Sequence, residues 1–295
     1  MIWGFPPELL LLQAFTGLAL GAVYVLLAVG LSLIFGMLTV VNFAHGAFYM
    51  LGAYMGVFLM AAGGDFWLCL IGVPVLVGSI GLLVERFLVR RLYGGHIDDP
   101  LLLTFGLTYI MVELVRIIWG KQALPFETPE ALQGAVDIGI GFFPLYRLFV
   151  IGVTCVVLLG LWLFIERTRW GLVIRAGARD PVIVRVLGID VGRVWLLVFG
   201  LGTGIAGLAG ILAAPLQGVA PEMGTTVLAE AFVVTVVGGM GSLVGGIVAG
   251  LLVGVTIAMT SLLLPEMAKV SMFLLMAVVL LLRPQGLFGR PGLMS

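Results

Sequence analysis

The sequence is short of charge. Of its 295 residues only 15 are Lys or Arg and 15 are Asp or Glu, with a formal net charge of zero. A water-soluble domain needs a polar exterior, which a chain that is 62% hydrophobic with a mean hydropathy of +1.25 cannot supply. The absent basic excess also argues against nucleic acid as a partner. Cysteine is equally scarce: Cys69 and Cys155 are the only two, and both lie in apolar runs, where a thiol ordinarily acts as a small buried hydrophobe. That placement argues against a disulfide or a metal site. The only two histidines, His45 and His96, fall in separate segments, so His45 has no evident metal co-ligand.

Motifs of chemistry are missing as well. No Gly-x-x-x-x-Gly-Lys-[Ser/Thr] occurs, since Gly120-Lys121 is followed by Gln122, and neither H-E-x-x-H nor G-x-S-x-G is present. Intramembrane carboxylates do not cluster as a proton or sodium site requires. The chain is therefore expected to be no enzyme, to need no cofactor, and, in active transport, to draw energy from another subunit. The N-terminus lacks the basic region of a signal peptide, and the apolar stretch from Leu9 outruns a signal core, so a retained first span is expected.

What the chain has is long apolar runs. Stretches at about 9–30, 46–62, 67–88, 101–119, 147–165, 194–216, 243–264 and 268–282 are each near the length that crosses a bilayer as a helix. Helices satisfy their own backbone in lipid, so the expected fold is all-α: a polytopic transmembrane helical bundle of about eight spans. It would form one membrane domain over 9–283, with a basic loop at 166–193 and a short tail at 284–295. Two runs exceed one helix. Leu9 to Ala62 is interrupted at Val41-Asn42-Phe43-Ala44-His45-Gly46, and Val227 to Leu264 at Gly238-Gly239-Met240-Gly241-Ser242. Both interruptions predict broken or re-entrant helices.

Basic residues orient the chain, because short cytoplasmic loops hold an excess of Lys and Arg. The loop with Arg167, Arg169, Arg175, Arg179, Arg185 and Arg193 opposes these to only Asp180 and Asp190, and is expected inside, together with Arg86, Arg90 and Arg91. The loop at about 120–145 carries Glu127, Glu130 and Asp137 against Lys121 alone and is expected outside, while the tail with Arg283 and Arg290 is expected inside. These counts leave the side of the N-terminus open. Within the basic loop, Asp180 as N-cap, Pro181 at the first position, residues 182–187 as the body and Gly188 as the stop describe a short apolar helix. Such a helix lies in the lipid interface or docks into a cytoplasmic partner.

Glycine is abundant, at 43 residues. Gly246, Gly250 and Gly254 form a small-xxx-small face, and the pairs Gly241/Gly245, Gly200/Gly204 and Gly17/Gly21 repeat the device, which permits close helix packing within the subunit or between subunits. Asn42 and His45 either cap the first break or line a polar pathway, since polar groups at membrane depth need partners or a cavity. The second break offers an unwound backbone to a cavity, or packs. Glu113 and Arg116 are spaced to pair on one helix face, and Glu230 is read as opening a helix.

Taken together, Gly21 to Gly36 (GAVYVLLAVGLSLIFG), Asn42-Phe43-Ala44-His45-Gly46 with Tyr49 to Tyr54, Glu85-Arg86, Arg167 to Gly171 through Arg175-Ala176 to Leu187-Gly188-Ile189-Asp190, Val237 to Ser242, and Arg283 to Arg290 run nearly the length of the chain. In these segments the sequence resembles the permease subunits of branched-chain amino-acid ABC transporters, the LIV type. The resemblance implies an inner-membrane permease for leucine, isoleucine and valine. Its implied partners are a second homologous permease subunit, two cytoplasmic ATP-binding subunits and an extracytoplasmic substrate-binding protein. It also implies a substrate pathway at Asn42, His45, Gly46, Gly238, Gly239, Gly241 and Ser242. Coupling to the ATPases would run through Arg175, Asp180, Pro181, Val184, Arg185 and Gly188. One departure stands out: Ala47 occupies a position that is commonly acidic in the family. The same architecture also serves urea, short amides and other small molecules; from another class, an ion-coupled secondary transporter would share the broken helices.

Overall fold

The computed structural model describes residues 6–38, 41–93, 96, 98–139 and 141–289. The tail residue Arg290 lies outside them. Eleven α-helices account for most of these residues: α1 (Pro7–Leu38), α2 (His45–Ala61), α3 (Phe66–Phe87), α4 (Asp98–Trp119), α5 (Leu145–Arg167), α6 (Arg169–Arg179), α7 (Pro181–Val186), α8 (Val191–Gln217), α9 (Met223–Gly238), α10 (Leu243–Leu263) and α11 (Ala268–Leu282). Each of the eight expected apolar stretches is a helix. Among the described residues seven helical segments are long and apolar enough to cross a membrane, while α2 and α9 are shorter apolar helices. Large apolar side chains stand in the open on these segments, including Ile117 at 78%, Val156 at 71% and Leu281 at 84% exposure. Such ridges are stable only against lipid or another protein.

Both interruptions are real breaks. α1 ends at Leu38 and α2 begins at His45; α9 ends at Gly238 and α10 begins at Leu243. The segment at 120–144, polar and turn-rich, instead makes a small antiparallel pair, β1 (Ala135–Asp137) with β2 (Phe142–Pro144), in which Val136 faces Phe143.

By its internal contacts the chain forms two compact units. One takes the described parts of Met1–Ala28, Glu127–Val157 and Glu230–Ser295; the other takes Val29–Phe126 and Leu158–Ala229. In the second unit, α8 packs against both α2 and α3, and glycine makes this possible. A Cβ at Gly52 would come within 2.5 Å of the Gly207 Cα, and one at Gly78 within 3.0 Å of the Gly200 carbonyl oxygen, so the backbones cross with nothing between them. In lipid, where the hydrophobic drive between helices is absent, this close approach is the source of cohesion. In the first unit the start of α1 packs on α10 by the same means. A Cβ at Gly21 would stand 2.9 Å from the Gly250 carbonyl oxygen, and one at Gly250 would stand 2.6 Å from Cγ2 of Val25. A polar pin between these two helices is Gln13, whose Nε2 donates to the Ala258 carbonyl at 2.6 Å and to Ser261 Oγ at 3.2 Å.

Candidate functional site

The first break is built from one turn and two threonines of a distant helix. Asn42 Oδ1 accepts from the Ala44 N–H at 3.0 Å, and the Asn42 carbonyl accepts from the His45 N–H at 3.1 Å. Between them Phe43 would be left with its backbone exposed to an apolar interior. Thr104 and Thr108 of α4 take both ends: the Phe43 N–H donates to Thr104 Oγ1 at 3.2 Å, and Thr108 donates to the Phe43 carbonyl at 3.1 Å. Asn42 and His45 are 1% and 0% exposed, and Asn42 Nδ2 has no hydrogen-bond partner among the described residues. An orphaned amide donor at membrane depth is costly unless a polar molecule meets it. The His45 ring lies against Gly30 of α1, and Gly46 crosses the Gly224 backbone of α9 so tightly that no side chain fits. Asn42, His45 and Gly46 are therefore held as one rigid corner. Ala47, one residue on, is fully buried.

The second break is occupied by the chain's own tail. Leu287 N–H donates to the Val237 carbonyl at 2.8 Å and Phe288 N–H to the Gly238 carbonyl at 3.0 Å, satisfying two carbonyls that the end of α9 leaves without helical partners. Gly239 has φ +99° and Gly286 φ +77°; a Cβ on Gly239 would approach the Gly289 Cα to 2.6 Å. Gly241 turns at φ +79°, and Ser242 caps α10 by accepting from the Gly245 N–H at 3.1 Å. Gly246 is buried beside this junction, and Gly250 and Gly254 face α1. Gly238, Gly239, Gly241 and Ser242 thus serve capping and packing at this junction.

The basic loop folds into two helices. α6, which sequence reading did not anticipate, starts at the Thr168 cap, whose Oγ1 accepts from Gly171 N–H at 3.0 Å, and Arg175 on it pairs with Glu166. Its Gly177 faces Met37 near the end of α1, whose Cε would lie 3.0 Å from a Cβ there. α7 follows the expected design: Asp180 Oδ1 accepts from the N–H groups of Val182 and Ile183 at 2.9 and 3.0 Å, Pro181 opens the helix, and Gly188 turns at φ +79°. Its faces are unequal. Val184 is 3% exposed and packs inward, and the Arg185 guanidinium sits 5.5 Å from the centre of the Trp195 ring. Val182, Ile183, Val186 and Leu187 stand in the open, Val186 at 81%. Arg90 lies against Gly192 at the start of α8, which brings the Arg86–Arg91 segment and the basic loop to one end of this unit. Next to them Tyr93 donates to the buried Glu85 carboxylate at 3.0 Å. Burial, reinforced by that carboxylate, raises the Tyr93 phenol well above its ordinary pKa, so it stays a donor.

Two expectations change. Glu230 does not open a helix: α9 starts at Met223, and Glu230 sits mid-helix, 7% exposed, with Lys269 at 3.9 Å. The start lies upstream because the Pro221-Glu222 turn offers the Glu222 carbonyl to Thr225 and Thr226. Cys69 is buried as expected, but Cys155 lies on an exposed face of α5. Arg116 bonds not only Glu113 but also Glu222, at 2.9 Å. Thr104 and Thr108 were missed; their i, i+4 spacing within the apolar first half of the α4 span was the available signal. Among the described residues no group of three or more His, Cys, Asp or Glu could hold a metal.

A bundle of apolar helices with two capped breaks and a basic, helix-bearing loop defines a multi-pass membrane protein. Residues 13–282 match the family described as branched-chain amino acid transport system / permease component, and the chain belongs to that family. It is 32% identical to the high-affinity branched-chain amino acid transport system permease protein LivH of Salmonella typhimurium, covering 95% of each chain, and 32% identical to BraD of Pseudomonas aeruginosa at the same coverage. It is also 29% identical to the LivM permease protein of Escherichia coli, over 90% of this chain and 67% of that one. As a member of this family the chain is a permease subunit of the inner membrane.

Proposed function

We propose that the chain forms half of the membrane pathway of an ATP-driven importer of branched-chain amino acids, beside a second, LivM-like permease subunit, two cytoplasmic ATP-binding subunits and an external binding protein. The observation that carries the coupling part of this reading is α7. A six-residue helix cannot stand alone in water, yet it is capped at both ends and presents Val182, Ile183, Val186 and Leu187 outward at the basic end of the chain. These four residues form the face that would enter a groove of the ATPase, while Val184 and Arg185 fix the helix to its own subunit. Arg175, Asp180, Pro181 and Gly188 hold it in shape. The chain has no phosphate-binding loop of its own, so the force must arrive through such a contact.

Orientation follows from one helix. α1 is unbroken over 32 residues, about 48 Å at 1.5 Å per residue, enough to cross the bilayer with length to spare. Its end at Met37 meets Gly177 of the basic loop. With that loop in the cytoplasm, the N-terminal end of α1 is outside. Asn42, His45 and Gly46 are pathway residues in this reading, because the first break holds an orphaned polar donor; Gly238, Gly239, Gly241 and Ser242 contribute the unwound backbone of the second break.

Ala47 favours a second reading of the substrate. A buried methyl replaces the acidic group common at this position, so the pathway would tolerate ligands without an ammonium group, such as urea or a short amide. Uptake of labelled leucine into vesicles decides between these. Transport only with the partner subunits, the binding protein and internal ATP supports the importer; ATP-independent uptake by the chain alone overturns it, and uptake of amide but not leucine moves the substrate.

A further inference from the structure

At the basic end of the second unit, a cavity of about 500 Å³ is lined by Arg90, Tyr93, Arg185, Asp190, Gly192 and Trp195, among others. Its charges do not balance. Neither Arg90 nor Arg185 forms an ion pair with a carboxylate among the described residues. The one carboxylate on the wall, Asp190, is engaged by Arg193 at 3.1 Å and caps α8. Glu85, which attracts Arg90 from beneath, is fully buried and already accepts from Tyr93.

The placement of the cations makes the imbalance more pointed. Arg90 lies on Gly192, where any side chain would displace it, and so sits at the first turn of α8. A helix N-terminus carries partial positive charge and favours an anion, not a guanidinium. Two guanidinium groups lining one cavity beside such an end suit a group with several anionic oxygens, above all a phosphate.

Depth and surroundings identify the carrier of that phosphate. Tyr93 and Trp195 pack edge to face with ring centres 4.6 Å apart. One lies just beyond the span Phe66–Leu92 and the other near the start of the span Val191–Gln217, which is where aromatic rings mark the headgroup level. A cationic cavity beside such an aromatic pair has the chemistry of a site for a lipid phosphate.

We propose that this cavity binds the phosphate of an anionic phospholipid from the cytoplasmic leaflet. The choice of leaflet rests on the orientation proposed above; the binding does not. Because Arg185 and Gly188 belong to α7 and its exit turn, a bound headgroup also sets the position of the helix that faces the ATPase.

The test is native mass spectrometry of the detergent-solubilised chain titrated with phosphatidylglycerol or phosphatidylcholine. Retention of one phosphatidylglycerol in preference to phosphatidylcholine is expected, weakened about tenfold or more when Arg90→Gln and Arg185→Gln are combined, as expected for two basic residues at an anionic surface. Arg91→Gln, outside the cavity, is expected to bind as wild type, which separates loss of the site from loss of general surface charge. Equal binding of the two lipids by the wild-type chain overturns the proposal without reliance on any variant. So does an undiminished preference in the double variant. Displacement of the lipid by millimolar inorganic phosphate would overturn the lipid assignment and give the site to a soluble phosphate compound.

Discussion

The backbone N–H of Leu287 donates to the carbonyl of Val237 at 2.8 Å, so the last turn of α9 is closed by a residue fifty positions later in the chain. The contact joins the end of the last span to the second helix break, and it depends on two glycines with positive φ, Gly239 and Gly286. Replacing Gly239 by Ala adds a strained backbone to a Cβ that meets the Gly289 backbone. A loss of about 2 kcal/mol or more is expected, from about 1 kcal/mol or more for the left-handed residue plus the clash. Thermal unfolding in detergent reads it; a variant as stable as wild type would show that the tail is free to leave.

The packing of α1 on α10 makes a second expectation sharp, because the chain contains its own control. Gly254→Leu places a side chain into the Gly17 and Gly21 backbone, whereas Gly152→Leu is made where a Cβ has nothing within 4 Å. The first is expected to abolish recovery of monodisperse protein and the second to leave yield unchanged. Equal behaviour of the two on size-exclusion chromatography would remove close helix approach as the reason for glycine at 254.

A third concerns the first break. Thr104→Val keeps the shape of the side chain and strands the Phe43 N–H, which is otherwise bonded at 3.2 Å. Leaving such a group unsatisfied costs about 1–3 kcal/mol. Lower thermal stability, and slower uptake through a loosened Asn42–Gly46 corner, are expected together; Thr104→Ser, which keeps the hydroxyl, should restore most of both.

These sites differ in how far the sequence revealed them. The breaks were legible because Asn42 and the glycines from 238 to 241 interrupt apolar runs too long for one helix, and interruption is a local property. What holds each break was not. Thr104 lies some sixty residues from Phe43, and the tail caps α9 from the far end of the chain; no local pattern specifies such a pairing. Likewise Asp180, Pro181 and Gly188 announce α7 by start and stop chemistry alone, but which side of a six-residue helix turns inward is decided by α8, through Trp195. The reading of Glu230 as a helix opener failed for a related reason: the Glu222 carbonyl, by accepting from Thr225 and Thr226, starts the helix earlier.

The faces of α7 give the last expectation its contrast. Val184 is buried and Val186 is exposed, two residues apart on one helix. If α7 carries force from an ATPase, Val186→Asp and Leu187→Asp leave the permease folded and inserted, because water or interface already reaches both positions, but they put a charge where an apolar partner must seat. Val184→Asp instead buries a carboxylate without a partner and is expected to cost several kcal/mol of stability. The two classes separate in paired measurements of thermal stability and ATP-driven leucine uptake in the reconstituted complex. The exposed variants are expected to keep wild-type stability and lose uptake by about tenfold or more, about 1.4 kcal/mol of lost coupling per factor of ten. The buried variant is expected to lose stability first. Should Val186→Asp transport normally, the exposed apolar face of α7 would belong to the lipid interface, and the coupling contact would have to be sought elsewhere on the basic loop.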